Sequence, residues 1–119
     1  MTFAGRTQQT FDRIQLAGTV ASQPLAELLR AHDVFLAPSR DDPCSNALLE
    51  GLACGLPAAF LRSGGHSELV GDGGIGFDDA EELPTVFAHL RDELEQRRDA
   101  IRVPTLSDVA DLYLEALRP

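Results

Sequence analysis

The sequence predicts an α/β fold, in which a doubly wound, mainly parallel sheet of about five strands carries helices on both faces. Three observations lead there. Five short apolar runs, Thr2–Gly5, Ile14–Ala17, Val34–Ala37, Ala58–Leu61 and Gly74–Phe77, are continuous more than alternating, as strands buried on both faces are. Helical patterns stand between most of these runs, the alternation that builds a parallel sheet. The third run ends in a polar Pro/Ser/Asp turn that opens directly into a helix, the strand–loop–helix order of a Rossmann-like unit.

The elements follow in chain order. Only a short stretch, Arg6 to Arg13, separates the first two strands, whereas a parallel crossover usually takes a dozen residues or more. Either this pair is not an ordinary βαβ unit, or the domain is incomplete at its N-terminus. A helix over Leu25–His32 follows Ser22, a residue type that caps helices. The strand Val34–Ala37 stops at Pro38-Ser39-Arg40-Asp41-Asp42-Pro43. A helix then opens at Ser45 and continues through Ala47–Cys54 to Gly55 and Pro57. Ser67–Val70 makes a single turn ended by Gly71. The longest helix covers Ala80 to Ile101, with Leu83, Val86, Phe87, Leu90 and Leu94 on one stripe. Pro84 fits only a first turn, which moves its start toward Leu83. The last helix begins at Ser107 and is expected to bury Val109, Leu112, Tyr113 and Leu117. No repeat, low-complexity segment or linker interrupts residues 1–119, which read as a single domain.

Composition narrows the function. The net charge is −9, from 19 acidic and 10 basic residues, and every basic residue is Arg. Such a chain does not gather nucleic acid or anionic lipid by its overall field. Without Lys there is no Gly-Lys-Ser phosphate loop, which excludes a P-loop NTPase. Any phosphate must be held by backbone amides and one or two local Arg. Cys44 and Cys54 flank one helix at no familiar metal spacing and read as reduced thiols of a cytoplasmic protein. The first residues lack the basic region and apolar core of a signal peptide. The longest apolar region, Ala47 to Leu61, is broken by Glu50, Gly55 and Pro57, so no membrane span is expected.

The chemistry concentrates after the third strand. A strand, a polar loop and a bare helix start make a seat for phosphate, with free amides at Ser45, Asn46 and Ala47. Two carboxylates flank it, Asp42 in the loop and Glu50 within the helix. A carboxylate accepts from two vicinal hydroxyls at once, so Glu50 suits a ribose and Asp42 a sugar ring. The plainer alternative is a turn residue and a surface helix residue. A second loop, Arg62-Ser63-Gly64-Gly65-His66, follows the fourth strand. Gly64 and Gly65 permit close approach of backbone to a ligand, and His66 is either a loop residue or a ligand contact. Asp41-Asp42 lacks a third carboxylate nearby, so neither a metal nor any other cofactor is expected, and no catalytic nucleophile is identifiable.

At these residues the chain resembles the retaining glycosyltransferases of the GT4 type, which have the two-domain GT-B fold. The matching segments are Ala37-Pro38-Ser39, Asp42-x7-Glu50, Ala53-Cys54-Gly55-Leu56-Pro57 and Gly64-Gly65-His66-Ser67-Glu68. The turn Gly18-Thr19-Val20 and the strand Gly73-Gly74-Ile75-Gly76-Phe77 also fit. The resemblance implies a truncated GT-B C-terminal domain, the half that binds a nucleotide-diphosphate sugar. It implies that Glu50 binds the nucleotide ribose, Asp42 the donor sugar, Ser45, Asn46 and Ala47 the diphosphate, and that the base packs at Gly18 and Val20. Three departures accompany it. Asp42 stands where the family has Glu. The family's diphosphate-neutralising Arg and Lys come from an earlier strand and loop with no counterpart here, leaving Arg6 as the candidate substitute. The acceptor domain has no counterpart either.

The resemblance also places the family's first strand centrally. Without it, a gap is expected between the Ile14–Ala17 side and the Val34–Ala37 side, met by a rearranged sheet or by self-association through an open edge. The function implied is the donor side of a glycosyltransferase acting on an acceptor hydroxyl, inactive alone, with an acceptor-domain segment or chain as partner. The alternative is a non-catalytic nucleotide-binding module or subunit docking on a separate acceptor-domain chain.

Overall fold

The structure, a computed structural model, describes residues 1–118. At its centre is a parallel sheet of order β3-β4-β5, formed by β3 (Phe35–Ala37), β4 (Ala58–Leu61) and β5 (Gly74–Phe77). Phe35 lies opposite Ala58, and Ala58 opposite Gly74. All four residues of β4 are buried, because both faces of the sheet are covered. Ala58 and Phe60 join Ala37, Leu48, Leu52 and Val70 on one face, under α2 (Asn46–Ala53) and α3 (His66–Val70). Ala59 and Leu61 join Phe77, Val86 and Leu90 on the other, under α4 (Leu83–Asp92). This two-sided burial is the physical origin of the continuous apolar runs. Leu48, Leu52 and Leu90 are almost wholly buried, each contributing about 1.5–3 kcal/mol. Helix α2 lies close on β3 because Gly51 has no side chain; a Cβ there would come within 2.6 Å of the Phe35 ring.

The remaining strands, β1 (Thr2–Ala4) and β2 (Gln15–Gly18), form a separate two-stranded parallel sheet. The five parallel strands are therefore present, but they are split, and the split falls where the gap was expected. Residues 5–14 join β1 to β2 without a helix, so this pair is not a βαβ unit. All of β2 is exposed. Helix α1 (Ser22–Arg30) carries the chain from β2 to β3. Its N-cap position is Ala21, without a side-chain bond, and Ser22 is its first residue rather than its cap. His32 ties the two parts together: its Nδ1 donates to the Leu28 carbonyl at 2.8 Å, and its Nε2 lies 2.8 Å from Thr2 Oγ1.

The expected long helix is broken. A short 3-10 turn at Ala80–Glu82, with a capping box at Asp79, leads into α4 at Leu83. Glu93 then leaves helical geometry, at φ −109° and ψ 17°, and α5 (Leu94–Ala100) starts afresh. The break lets Arg97, paired with Glu93 at 2.7 Å, reach the carbonyls of Asp72 and Gly74 at 3.2 Å each. Helix α6 (Leu106–Ala116) begins one residue before Ser107, at Leu106, and is capped by Thr105. The expectation that it buries Leu112, Tyr113 and Leu117 is overturned: they are 64%, 69% and 78% exposed, because no other element among the described residues covers them. Among the described residues, no helix is long and apolar enough to cross a membrane.

Candidate functional site

Parallel pairing brings the C-terminal ends of β3, β4 and β5 to one edge of the central sheet. The β3–α2 loop, residues 38–45, and the β4–α3 loop, residues 62–65, meet there. Asp41 donates its amide to Ser63 Oγ at 2.9 Å, and the Gly65 amide donates to the Asp42 carbonyl at 3.0 Å. Asp41 sits at φ 54°, a left-handed conformation that a non-glycine residue adopts only when its surroundings hold it. Here Ser63 holds it. Ser39 Oγ lies 3.2 Å from His66 Nε2, and His66 Nδ1 donates to the Leu61 carbonyl at 3.0 Å.

The structure thus assigns the glycine pair a different neighbour from the one expected. A Cβ on Gly64, which has φ +58°, would collide with the Asp42 backbone, and one on Gly65 would collide with the Pro43 carbonyl. The close approach that these glycines permit is to the adjacent loop, not to an open ligand space. His66 is fully buried beneath the loops, with both ring nitrogens engaged by protein. A direct ligand contact by His66 is closed off for that reason.

Helix α2 opens at this edge. Ser45, 7% exposed, caps it by accepting the Leu48 amide at 3.4 Å. The amides of Ser45, Asn46 and Ala47 have no acceptor among the described residues. Leu48, Gly51 and Leu52 form the buried face of α2. Glu50 stands four residues after Asn46 and three after Ala47, which puts it on their exposed face. Its carboxylate is exposed and has no ion-pair or hydrogen-bond partner among the described residues. Asp42 is half-buried, and its Oδ1 accepts the Cys44 amide at 3.2 Å, closing a local turn. A shallow cavity of about 240 Å³ adjoins the same edge, lined by Pro38, Arg40, Leu61, Phe77 and Asp78 among others. Asp78 of this lining pairs with the exposed Arg62 at 2.7 Å.

Gly18 lies elsewhere, at the C-terminal ends of β1 and β2. With φ +69° it turns the chain out of β2, and its carbonyl accepts the Gly5 amide at 2.8 Å. A cavity of about 490 Å³ opens there, lined by Gly5, Arg6, Thr7, Leu16, Ala17, Gly18 and Thr19. Val20 follows, half-buried. The site residues expected from sequence therefore form two clusters on two sheets. Asp42, Ser45, Asn46, Ala47, Glu50, Gly64, Gly65 and His66 belong to one; Gly18 and Val20 belong to the other. The clamp formed by Ser39, Asp41 and Ser63 was not singled out from sequence. Its only local signal is the Ser and Asp content of two turns, which is common to turns generally.

A family model described as glycosyl transferases group 1 matches residues 3–96. Two solved structures are also similar: Alr3699/HepE of Anabaena in complex with UDP, and the same protein in complex with UDP-glucose. In each, the match is 24% identical with a TM-score of 0.56, covering 73% of this chain and 25% of that one. The chain therefore spans about a quarter of the length of those structures, and the likeness is one of fold. No curated protein matches the sequence.

Proposed function

The chain belongs to the glycosyl transferases group 1 family, and from that premise we propose that it forms the donor side of a glycosyltransferase of the retaining GT4 type. The complete enzyme moves a sugar from a nucleotide-diphosphate sugar to an acceptor hydroxyl. The observation that carries this reading is the start of α2, where unpartnered amides at Ser45, Asn46 and Ala47 share an exposed edge with Glu50.

In this reading those amides, with the helix dipole behind them, hold the diphosphate while negative charge develops on it as the leaving group. Glu50 accepts from the ribose hydroxyls. Asp42, one methylene shorter than Glu, reaches the donor sugar with Oδ2, since Oδ1 is engaged by Cys44. Gly18 and Val20 bound the space for the base. Arg6, on the rim of the 490 Å³ cavity, is the candidate countercharge for the diphosphate. Gly64, Gly65 and His66 serve by holding the β3–α2 loop in place.

The partner is an acceptor-domain segment or chain, and the 119-residue chain by itself is inactive in sugar transfer. The free thiols of Cys44 and Cys54 support a cytoplasmic setting. A second reading, a nucleotide-binding subunit that docks on a separate chain, is favoured by the uncovered apolar face of α6. Calorimetry with UDP, UDP-glucose, GDP and ADP tests the donor reading. Binding at millimolar strength or tighter is expected with at least one nucleotide, weakened about tenfold or more in Glu50→Ala because a charged acceptor is lost. No binding by any of them overturns it.

A further inference from the structure

We propose that Ser39 is a contact selective for hydroxyl donors on the sugar half of the donor, and that His66 is the positioning residue that sets its polarity. The assignment rests on the donor-side reading above and adds a residue pair to it. His66 is 0% exposed. Its Nδ1 faces the Leu61 carbonyl at 3.0 Å, and a carbonyl only accepts, so Nδ1 carries a proton. A ring carrying that one proton alone has Nε2 as an acceptor. Ser39 Oγ, 3.2 Å away, then gives its single proton to Nε2.

Ser39 itself is exposed. With its proton turned inward, only oxygen lone pairs face the open edge. A hydroxyl that rotates freely adapts to donors and acceptors alike; this one is committed. It accepts from a sugar hydroxyl and repels a phosphate oxygen, which has no proton to offer. Ser39 belongs to the same β3–α2 loop as Asp42, ahead of the α2 start, whereas Glu50 lies within the helix. If the amides hold the diphosphate and Glu50 the ribose, the hydroxyls within reach on this side belong to the transferred sugar.

A purely structural tie between the loops predicts something else: loss of the pair lowers stability and moves affinity for every nucleotide together. The test therefore compares two ligands on the full chain. Ser39→Ala is expected to weaken UDP-glucose binding about five- to tenfold, the worth of one neutral hydrogen bond, and to leave UDP binding unchanged. Ser39→Thr, which keeps the hydroxyl, is expected to restore it. Because His66→Gln disturbs a buried site and risks misfolding, the histidine is read in the wild type by ¹⁵N NMR, with a protonated Nδ1 and an unprotonated Nε2 expected. Equal losses for UDP and UDP-glucose, no loss for either, or a protonated Nε2 overturns the assignment while the donor reading stands. Absence of binding by the wild-type chain to any nucleotide overturns the donor reading, and this assignment with it.

Discussion

Gly64 shows how much of the site is decided at a single residue. Its φ of +58° is strained for any residue with a side chain, and the space where a Cβ would go is held by Asp42 backbone. Gly64→Ala is expected to destabilise the protein by about 2–3 kcal/mol, combining backbone strain with overpacking. Urea unfolding measures it; a change below about 0.5 kcal/mol contradicts the described loop contact. The glycine pair was legible as a close approach, since residues without a Cβ let another backbone come near. What it approaches was not legible, because the neighbour comes from a loop some twenty residues earlier that only the β3–β4 pairing brings near. His66 follows the same pattern. Its chemistry was visible in the sequence, but its complete burial depends on three segments closing around it.

Among elements, α6 is the most informative. It is well capped locally: the Asp108 amide donates to Thr105 Oγ1 at 3.2 Å, while the Thr105 hydroxyl and amide donate to Asp108 Oδ2 at 2.7 and 2.8 Å. The Thr105 hydroxyl first, and then its backbone amide, hold the Asp108 carboxyl below its usual value. A depressed folded-state value means that the stabilisation is complete above the ordinary carboxylate value of about 3.9 and is lost as pH falls through the lower, folded one. The start of α6 is therefore expected to fray only in acid, below about pH 4, as followed by the amide shifts of Thr105 and Asp108. Thr105→Ala is expected to cost the helix about 1 kcal/mol, seen as lower α6 helicity while the unfolding midpoint of the central sheet stays put. A matching shift of that midpoint would mean that α6 is coupled to the core. The 3.6-residue period correctly identified an apolar face here, but it carries no information on whether anything covers that face. The break at Glu93 escaped the same reasoning, because the stripe from Leu83 to Leu94 continues smoothly across it.

At the scale of the whole molecule, the two sheets have unequal support. The β3-β4-β5 sheet is covered on both faces, whereas β1 and β2 are mostly exposed and are tied to the rest through His32 and Thr2. Two-stranded sheets with little covering are marginal, and local opening follows the weakest packing. Amide exchange is expected to proceed in β1 and β2 at least tenfold faster than in β4; equal protection contradicts the separation of the sheets. The unpaired edges of β1 and β3 also present free backbone groups that invite pairing with another chain. Self-association through an open edge is accordingly proposed, and light scattering checks it. A mass above 12.8 kDa is expected at micromolar concentration, and a strictly monomeric mass refutes it.

By itself the sequence determined the five strands, the helices between most of them, the helix opening at Ser45 and the family of glycosyl transferases, because apolar period, turn chemistry and motif order are properties of neighbours along the chain. Only the tertiary structure decided that the strands divide into two sheets, that Gly64 and Gly65 meet another loop, that His66 lies under Ser39 and that α6 stands uncovered. Each of those depends on which distant segments come together. Burial and pairing are relations between such segments, and a local pattern specifies a face without specifying its partner.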